Sequence, residues 1–171
     1  MFTDADFGFG NDTENDTSTD TDKEPEIVSL DAILDDSAQG VSGQTGDDAI
    51  IFSGSGDDEI VTAGGDDLID AEDGNDTIDG GDGDDLLDGR DDDGALDFLN
   101  SSVGDDVLIA GTGDYLNGGT GSDLFGLSGE SNAYVGDFDP DEDTIEVTYN
   151  ALTTVPTLRF EDTKDGVLLF C

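Results

Sequence analysis

The chain has 171 residues and carries 46 Asp and Glu against 4 Lys and Arg, which gives a formal net charge of −42. This charge excludes nucleic acid and anionic lipid as partners, because phosphate recognition needs clustered Lys and Arg. Histidine is absent and the single cysteine is Cys171, so imidazole catalysis, a histidine or cysteine-rich metal site and an intramolecular disulfide are excluded as well. The remaining plausible chemistry is the binding of a hard cation by carboxylates.

The first part of the chain contains neither a cleavable signal peptide nor a membrane-spanning segment. Residues 1–26 are rich in Asp, Asn and Thr and lack a basic start followed by an apolar run, so we expect a disordered acidic leader. No apolar stretch approaches the roughly 18–20 residues that cross a bilayer. Residues 27–42 form the predicted N-terminal cap, in which Ile27–Leu34 becomes a strand followed by a short helical turn over the first repeat.

From residue 43 to residue 126 the sequence repeats with a period of nine residues, interrupted by an insertion around residues 98–102 and shortened at 111–118. Each unit has a glycine at its fourth place, an acid at its sixth and an apolar residue at its eighth. The acids are Asp48, Asp58, Asp67, Asp76, Asp85, Asp106 and Asp123, with Asp114 offset by one place. The apolar residues are Ile50, Ile60, Ile69, Ile78, Leu87, Leu96, Leu108, Leu116 and Phe125. In the unit at residues 89–97, Gly94 stands where the acid is expected.

Nine residues suit a tight glycine-rich loop followed by a short strand, with one apolar side chain pointing inward. One such unit cannot fold alone, whereas stacked units bury a continuous apolar ladder, so the period predicts an all-β solenoid. The bent loops offer carbonyl oxygens and the acids offer carboxylate oxygens, a donor set that favours Ca²⁺ over Mg²⁺. The glycines assigned to this metal-binding set are Gly46, Gly54, Gly56, Gly65, Gly74, Gly80, Gly81, Gly83, Gly104, Gly113, Gly118, Gly119 and Gly121.

The repeat resembles the calcium-binding nonapeptide G-G-x-G-x-D-x-U-x of RTX (repeats-in-toxin) proteins. The stretches GGDGDDLLD at residues 80–88 and GGTGSDLFG at residues 118–126 match it at every defined place. The resemblance implies a right-handed parallel β-roll in which two repeats make one turn, with each ion held between loops stacked on the same side. It pairs Asp48 with Asp67, Asp58 with Asp76, Asp67 with Asp85, and Asp106 with Asp123, and it implies about four to six Ca²⁺ ions.

Residues 127–171 are predicted to form a C-terminal β cap. The stretch DFDP at residues 137–140, followed by Asp143-Thr144-Ile145, is similar to the segment that follows the roll in type I secreted proteins. This similarity implies an export region recognised by type I secretion machinery and an extracellular, bacterial location. Strands are expected at Thr144–Tyr149, Thr157–Glu161 and Val167–Phe170, and Asp137, Asp141 and Asp143 are expected to form turns and caps rather than a separate metal site.

The sequence therefore predicts calcium binding coupled to folding after secretion, without catalysis. Ser-based nucleophilic catalysis lacks a histidine, and no carboxylate pair differs from the others as a glycosidase pair would. Two alternatives remain open. The roll could be a structural or adhesive extracellular module with a glycan or protein partner, which would need an exposed apolar or aromatic patch, or the chain could be the calcium-binding C-terminal part of a secreted hydrolase.

Overall fold

A computed structural model describes the backbone of residues 26–29, 40–42, 48–90, 94–128, 132–149, 159–163 and 166–170, and the side chains of residues 48–90, 94–128 and 132–149. All regular structure in these residues is β, as the nine-residue period predicts. The predicted leader falls outside the described residues except for Glu26, as do Gly46 and the helical turn expected after the first strand.

Fifteen short strands follow one another along the described chain. They are β1 (Glu26–Ser29), β2 (Gly40–Ser42), β3 (Ala49–Phe52), β4 (Glu59–Val61), β5 (Leu68–Asp70), β6 (Thr77–Asp79), β7 (Leu86–Gly89), β8 (Phe98–Asn100), β9 (Val107–Ala110), β10 (Tyr115–Asn117), β11 (Leu124–Ser128), β12 (Tyr134–Val135), β13 (Thr144–Thr148), β14 (Arg159–Thr163) and β15 (Gly166–Phe170).

The strands alternate between two sheets, as expected for a parallel β-solenoid. The odd strands β1 to β13 form one parallel sheet, and the even strands β2 to β12 form the other. β15 then pairs antiparallel with β12, and β14 pairs antiparallel with β15 at the end of the second sheet. The strands predicted at both ends are therefore present: β1 extends the first sheet beside β3, and β13, β14 and β15 follow the repeats.

One large apolar residue from each of the strands β3 to β12 lies between the two sheets. The buried ladder consists of Ile51, Ile69, Leu87, Leu108 and Phe125 from the first sheet and Ile60, Ile78, Leu99, Leu116 and Val135 from the second. Neighbouring strands pair without slippage along each sheet, so every ladder residue packs against the equivalent residue of the next turn. This burial is the main driving force that holds adjacent turns together.

Two residues assigned to the ladder from the sequence were wrong. Ile51 is buried instead of Ile50, because β3 pairs with β5 in the register Ile51↔Ile69. Leu99 is buried instead of Leu96, which is 53% exposed, because β8 pairs with β6 in the register Ile78↔Leu99. Ile51 keeps the nine-residue spacing to Ile60 and was missed because the unit was aligned on Gly46, whereas Leu99 was missed because the repeat between Leu87 and Leu99 is longer than nine residues.

Candidate metal centre

The loops between strands stack into two walls, one on each side of the roll. The first loop wall consists of residues 62–67, 80–85, 101–106 and 118–123, which are four loops of equal length. Their third residues pair as Gly64↔Asp82, Asp82↔Val103 and Val103↔Thr120, so the wall is continuous. The second loop wall begins with residues 53–58 and 71–76, which pair at Ser55↔Asp73, and continues with the described residues 90 and 94–97 and with residues 111–114. The first wall therefore offers the most regular series of inter-loop spaces.

Glycine at the fourth place of each loop lets adjacent turns approach closely. Gly83 and Gly104 adopt φ values of 144° and 148°, which L side chains rarely adopt. A Cβ at Gly83 would collide with the carbonyl oxygen of Gly65, and one at Gly104 would collide with that of Gly83. The glycines thus bring the backbone carbonyl oxygens of one loop against the next, which supplies part of an all-oxygen donor set.

The sixth-place acids of the first loop wall form a buried file of carboxylates, which we term the inner row: Asp67, Asp85, Asp106 and Asp123. Each accepts a hydrogen bond from the backbone N–H at the equivalent place of the preceding turn. The N–H of Asp67 donates to Oδ1 of Asp85 at 2.9 Å, that of Asp85 to Asp106 at 2.8 Å, and that of Asp106 to Asp123 at 3.0 Å. These bonds leave Oδ2 as the second oxygen of each carboxylate.

The fifth-place acids form an exposed outer row, which consists of Asp48, Asp66, Asp84 and Asp105. Their hydrogen bonds run in the opposite direction, because the N–H of the following turn donates to each carboxylate. The N–H of Asp84 donates to Oδ1 of Asp66 at 3.0 Å, and that of Asp105 donates to Asp84 at 2.9 Å. Each inter-loop space is therefore entered by an inner carboxylate from one side and an outer carboxylate from the other.

Asp48 belongs to the outer row and not, as predicted, to the sixth-place file. Its Oδ1 accepts from the N–H of Asp66 at 2.9 Å, as the other outer acids do from the turns that follow them. The sixth place of that turn holds Ala49, whose N–H donates to Asp67 at 2.7 Å. The predicted pairing of Asp48 with Asp67 therefore places the wrong residue opposite Asp67, for the same reason that Ile50 was misassigned.

Burial makes the inner row costly to ionise. Burial, reinforced by the nearby charges of Asp67 and Asp106, raises the pKa of Asp85 to about 7. Burial likewise raises the pKa of Asp123 to about 6 and raises those of Asp67 and Asp106. Adjacent negative charges in a low-dielectric wall are stable only when they are protonated or neutralised by a cation.

Oδ2 of Asp85 gives a second sign that a group is needed at this wall. The atom is buried and has no hydrogen-bond donor, and it lies so close to Gly80 that a Cβ there would collide with it. In Asp67 and Asp106 the nearby hydroxyls of Thr62 and Ser101 donate instead to the carbonyls of Gly80 and Gly118, at 2.7 and 2.9 Å. A buried carboxylate oxygen that accepts no hydrogen bond fits the role of a cation ligand.

The second loop wall contains an equivalent file made of Asp58, Asp76, Asp97 and Asp114. The N–H of Asp58 donates to Asp76 at 2.7 Å, that of Asp76 to Asp97 at 2.8 Å, and that of Asp97 to Asp114 at 3.2 Å. The pairing of Asp58 with Asp76 places the predicted acids on adjacent loops. Asp114 also joins the file despite its offset in the sequence.

Asp97 is the site residue that the nine-residue count missed. It occupies the place assigned to Gly94, which is exposed and has open space where a Cβ would lie. The triplet Asp97-Phe98-Leu99 has the D-x-apolar pattern of the other units, and aligning on this triplet instead of on the glycine would have found it. Likewise, Asp85 and Asp106 lie on adjacent loops of the first loop wall, although the interruption separates them in the sequence. Counting in steps of nine residues did not predict this pair.

Asp137 and Asp143, two of the three acids expected to form turns and caps after the repeats, accept hydrogen bonds from backbone N–H groups. Asp143 extends the inner row by accepting from the N–H of Asp123 at 3.0 Å, but its Oδ2 accepts from the N–H of Asp139 at 2.7 Å. Asp137 accepts from the N–H groups of Gly118 and Gly119 at 3.1 and 2.6 Å. In both carboxylates, therefore, each of the two oxygens accepts a hydrogen bond from a backbone N–H in or just after the last regular turn.

The donor set fits a calcium ion better than a transition metal. Within the side chains that the structure describes, no three acidic, histidine or cysteine groups converge into a compact metal site. A cation in the first loop wall would thus rely on backbone carbonyls of the glycine loops together with one or two carboxylates. Ca²⁺ accepts six to eight oxygen ligands in flexible geometry, whereas Mg²⁺ demands a strict octahedron.

Comparison with known families supports this assignment. Four overlapping stretches, residues 41–69, 52–87, 61–96 and 93–125, match the RTX calcium-binding nonapeptide repeat. The match implies that these repeats bind Ca²⁺ in a β-roll. No curated protein and no solved structure matches the chain. Among the parts of the chain with a described structure, no helix is long and apolar enough to cross a bilayer.

Proposed function

The repeats at residues 41–125 belong to the RTX calcium-binding nonapeptide family, and we propose that this chain is a secreted protein module that folds when Ca²⁺ enters its loop walls. The observation that carries the proposal is the inner row, where buried carboxylates succeed one another from turn to turn with raised pKa values. Such a row opposes folding at neutral pH until a cation neutralises it, so the binding energy of the metal becomes folding energy.

Each component of the inter-loop space has a distinct part in this process. The inner carboxylates supply the charged ligands, and the fourth-place glycines allow backbone carbonyls to approach. In Asp67 and Asp85, Oδ1 accepts a hydrogen bond from a backbone N–H, so Oδ2 is the oxygen left to bind the ion. The bound ion supplies positive charge and completes the oxygen coordination. The first loop wall has three regular inter-loop spaces and the second wall has one, so we propose about four ions, at the lower end of the range expected from the sequence.

The net charge of −42 links this chemistry to export. In a calcium-poor cytosol, repulsion among the carboxylates keeps the chain extended, a form that a secretion channel can thread. In calcium-rich surroundings the ions bind and the apolar ladder closes. The segment around Asp137–Asp143 contacts the last regular turn, and we propose that it and the strands after it contain the type I export region. The proposal includes no catalytic step.

The decisive experiment is a metal titration of the full chain after treatment with EGTA. Far-UV circular dichroism should change from coil to β as millimolar Ca²⁺ is added and change little with Mg²⁺, and calorimetry should count about four ions. A chain that stays unfolded in Ca²⁺ would overturn the calcium-folding mechanism. So would a chain whose β structure is complete in EGTA.

Export is tested separately. The full chain is expressed in bacteria with and without a type I secretion system, and the protein in the medium is measured. We expect export only when the system is present and the region 127–171 is intact. Equal amounts in the medium with and without the system would contradict the export proposal while leaving calcium binding unaffected.

A further inference from the structure

The outer face of the second sheet contains an aromatic column, which consists of Phe98, Tyr115 and Tyr134. The three residues lie in register on β8, β10 and β12. Ring centroids are 5.9 Å apart between Phe98 and Tyr115 and 4.6 Å apart between Tyr115 and Tyr134. Phe98 is 54% exposed and Tyr115 is 39% exposed. The sequence suggested that outward-facing residues would be mostly Asp, Thr and Ser, so this patch is the feature that an adhesive function would require.

A polar column lies beside the aromatic one, two residues further along each strand, and consists of Asp79, Asn100 and Asn117. Nδ2 of Asn100 donates to Oδ1 of Asp79 at 3.1 Å and to the hydroxyl of Ser102 at 2.8 Å. The amide groups of Asn100 and Asn117 are 2.7 Å apart. Both N–H groups of Asn100 are therefore engaged within the column, and the amide nitrogen of Asn117 donates to Oδ2 of Asp137 at 2.7 Å. These contacts fix the column and leave acceptor capacity on Asp79 and on the amide oxygen of Asn100.

Between the two columns lies an open groove of about 460 Å³, whose outward side chains are Thr77, Phe98 and Tyr115 on one side and Asp79, Asn100 and Asn117 on the other. Phe98 stacks on Tyr115 on one side only, and its other neighbour across the sheet is the short Thr77. One part of the groove is therefore an uncovered aromatic ring, and the facing part is a line of amide and carboxylate groups. Grooves with an apolar wall and a few oriented polar groups are typical of ligand sites.

The low charge of the groove favours a neutral ligand over a charged one. Asp79 is the one ionisable acid that lines it, although the chain has 46 acids in total. A second cavity, on the other sheet, is lined by Asp70, Glu72, Asp73 and Asp88, with Arg90 held 2.6 Å from Asp88. A cationic peptide would be held more strongly in that acidic cavity or on the loop walls, and an anionic polymer would be repelled everywhere.

We propose that the groove between the aromatic column and the polar column binds a neutral oligosaccharide. A pyranose ring has an apolar C–H face that packs on the open ring of Phe98, and its hydroxyls can donate hydrogen bonds to the acceptor oxygens of Asp79 and Asn100. From Thr77 to Tyr115 the groove covers two strand spacings, about 10 Å, which is on the order of two sugar units. This site is separate from the calcium-binding walls, but it exists only when the roll is folded.

The test uses the full chain in millimolar Ca²⁺, with cellohexaose, mannohexaose and chitohexaose as probes. Because the chain lacks Trp, tyrosine fluorescence is observed without Trp emission, and in a Tyr149→Phe background it comes from Tyr115 and Tyr134 of the aromatic column alone. Saturation-transfer NMR detects the bound sugar. We expect at least one hexaose to bind with a dissociation constant below about 1 mM, a free energy near −4 kcal/mol. Phe98→Ala should weaken that binding at least tenfold, and Asn100→Ala should do so without removing a ring.

Leu68→Ala is the matched control, since Leu68 is a 37% exposed apolar residue on the opposite sheet. It should leave sugar binding unchanged. Circular dichroism in Ca²⁺ separates lost binding from lost folding for every variant. The proposal is overturned if no hexaose binds the folded chain, if Phe98→Ala and Asn100→Ala bind as the parent does, or if hexalysine displaces the sugar from the groove.

Discussion

Replacing Asp85 by Asn should have opposite effects with and without calcium. Asn keeps the oxygen that accepts from the N–H of Asp67 but removes a buried charge whose pKa is raised to about 7. The difference from the ordinary value of 3.8 corresponds to roughly 4 kcal/mol at 1.36 kcal/mol per pKa unit, and solvent screening reduces it to about 2 kcal/mol. In EGTA at pH 7.5 the variant should therefore form β structure more readily than the parent.

In calcium the same change removes a charged ligand, so affinity at the adjoining site should fall about 10- to 100-fold, or roughly 1.4–2.8 kcal/mol. Both effects are read from circular dichroism, as urea midpoints in EGTA and as Ca²⁺ midpoints without urea. Glu59→Gln is the control, because Glu59 is an exposed acid on β4, outside the loop walls. A loss of metal-free β structure in Asp85→Asn, or a Ca²⁺ midpoint equal to that of the control, would refute the assignment of Asp85 as a buried ligand.

Three other outcomes follow from the roll. In urea titrations in Ca²⁺, Leu99→Ala should lower the free energy of unfolding by about 2–5 kcal/mol, because Leu99 is buried in the ladder. Leu96→Ala should lower it by less than about 0.5 kcal/mol, because Leu96 is exposed. Equal losses would contradict the β8 register. Gly83→Ala, which drives a Cβ into the carbonyl of Gly65, should prevent cooperative Ca²⁺-induced folding, whereas Gly94→Ala, with open space around it, should cost only about 1 kcal/mol of backbone strain. Acidification in EGTA should promote β structure. The pKa values of the inner row are raised in the folded roll, so this stabilisation is fully present below about pH 3.8 and is lost as the pH rises through about 6 to 7; a fall in β structure between pH 7 and 4.5 would contradict it.

The nine-residue period predicted the architecture because local and long-range requirements agree in each regular unit. Glycine at the fourth place, acid at the sixth and an apolar residue at the eighth all demand the same loop and the same strand. Wherever units kept that spacing, as at Asp67 and Asp85, the predicted neighbours lie on adjacent loops.

The errors arose where the glycine is out of register with the strand that follows it. At Ile50 and Leu96 the sequence offers two apolar residues close together, and counting from the glycine chose the wrong one. The structure instead preserves the spacing of Asp-x-apolar in the unit at Asp97, because the buried acid directly precedes the strand β8 that contains the buried Leu99. Extra residues are absorbed in the loop, where they disturb no ladder contact.

The aromatic column could not have been predicted from the same alignment. Phe98 and Tyr115 are each separated from their equivalents by interrupted or shortened units, and Tyr134 lies beyond the repeats. Only the strand pairing brings them onto one line. The direction of the outer and inner hydrogen bonds is likewise a property of the stacked loops and of no single unit.

The hydrogen bonds of both acid rows connect one turn to the next, from Asp67 to Asp85 and from Asp66 to Asp84. Under tension along its axis, the roll would load the interfaces between turns in series. Each interface has its own few carboxylate bonds, ladder contact and ions, so the turns should separate one after another at similar forces. Calcium would then set the force at which the module lengthens, and the chain would behave as an extensible tether whose stiffness follows the ion concentration around it.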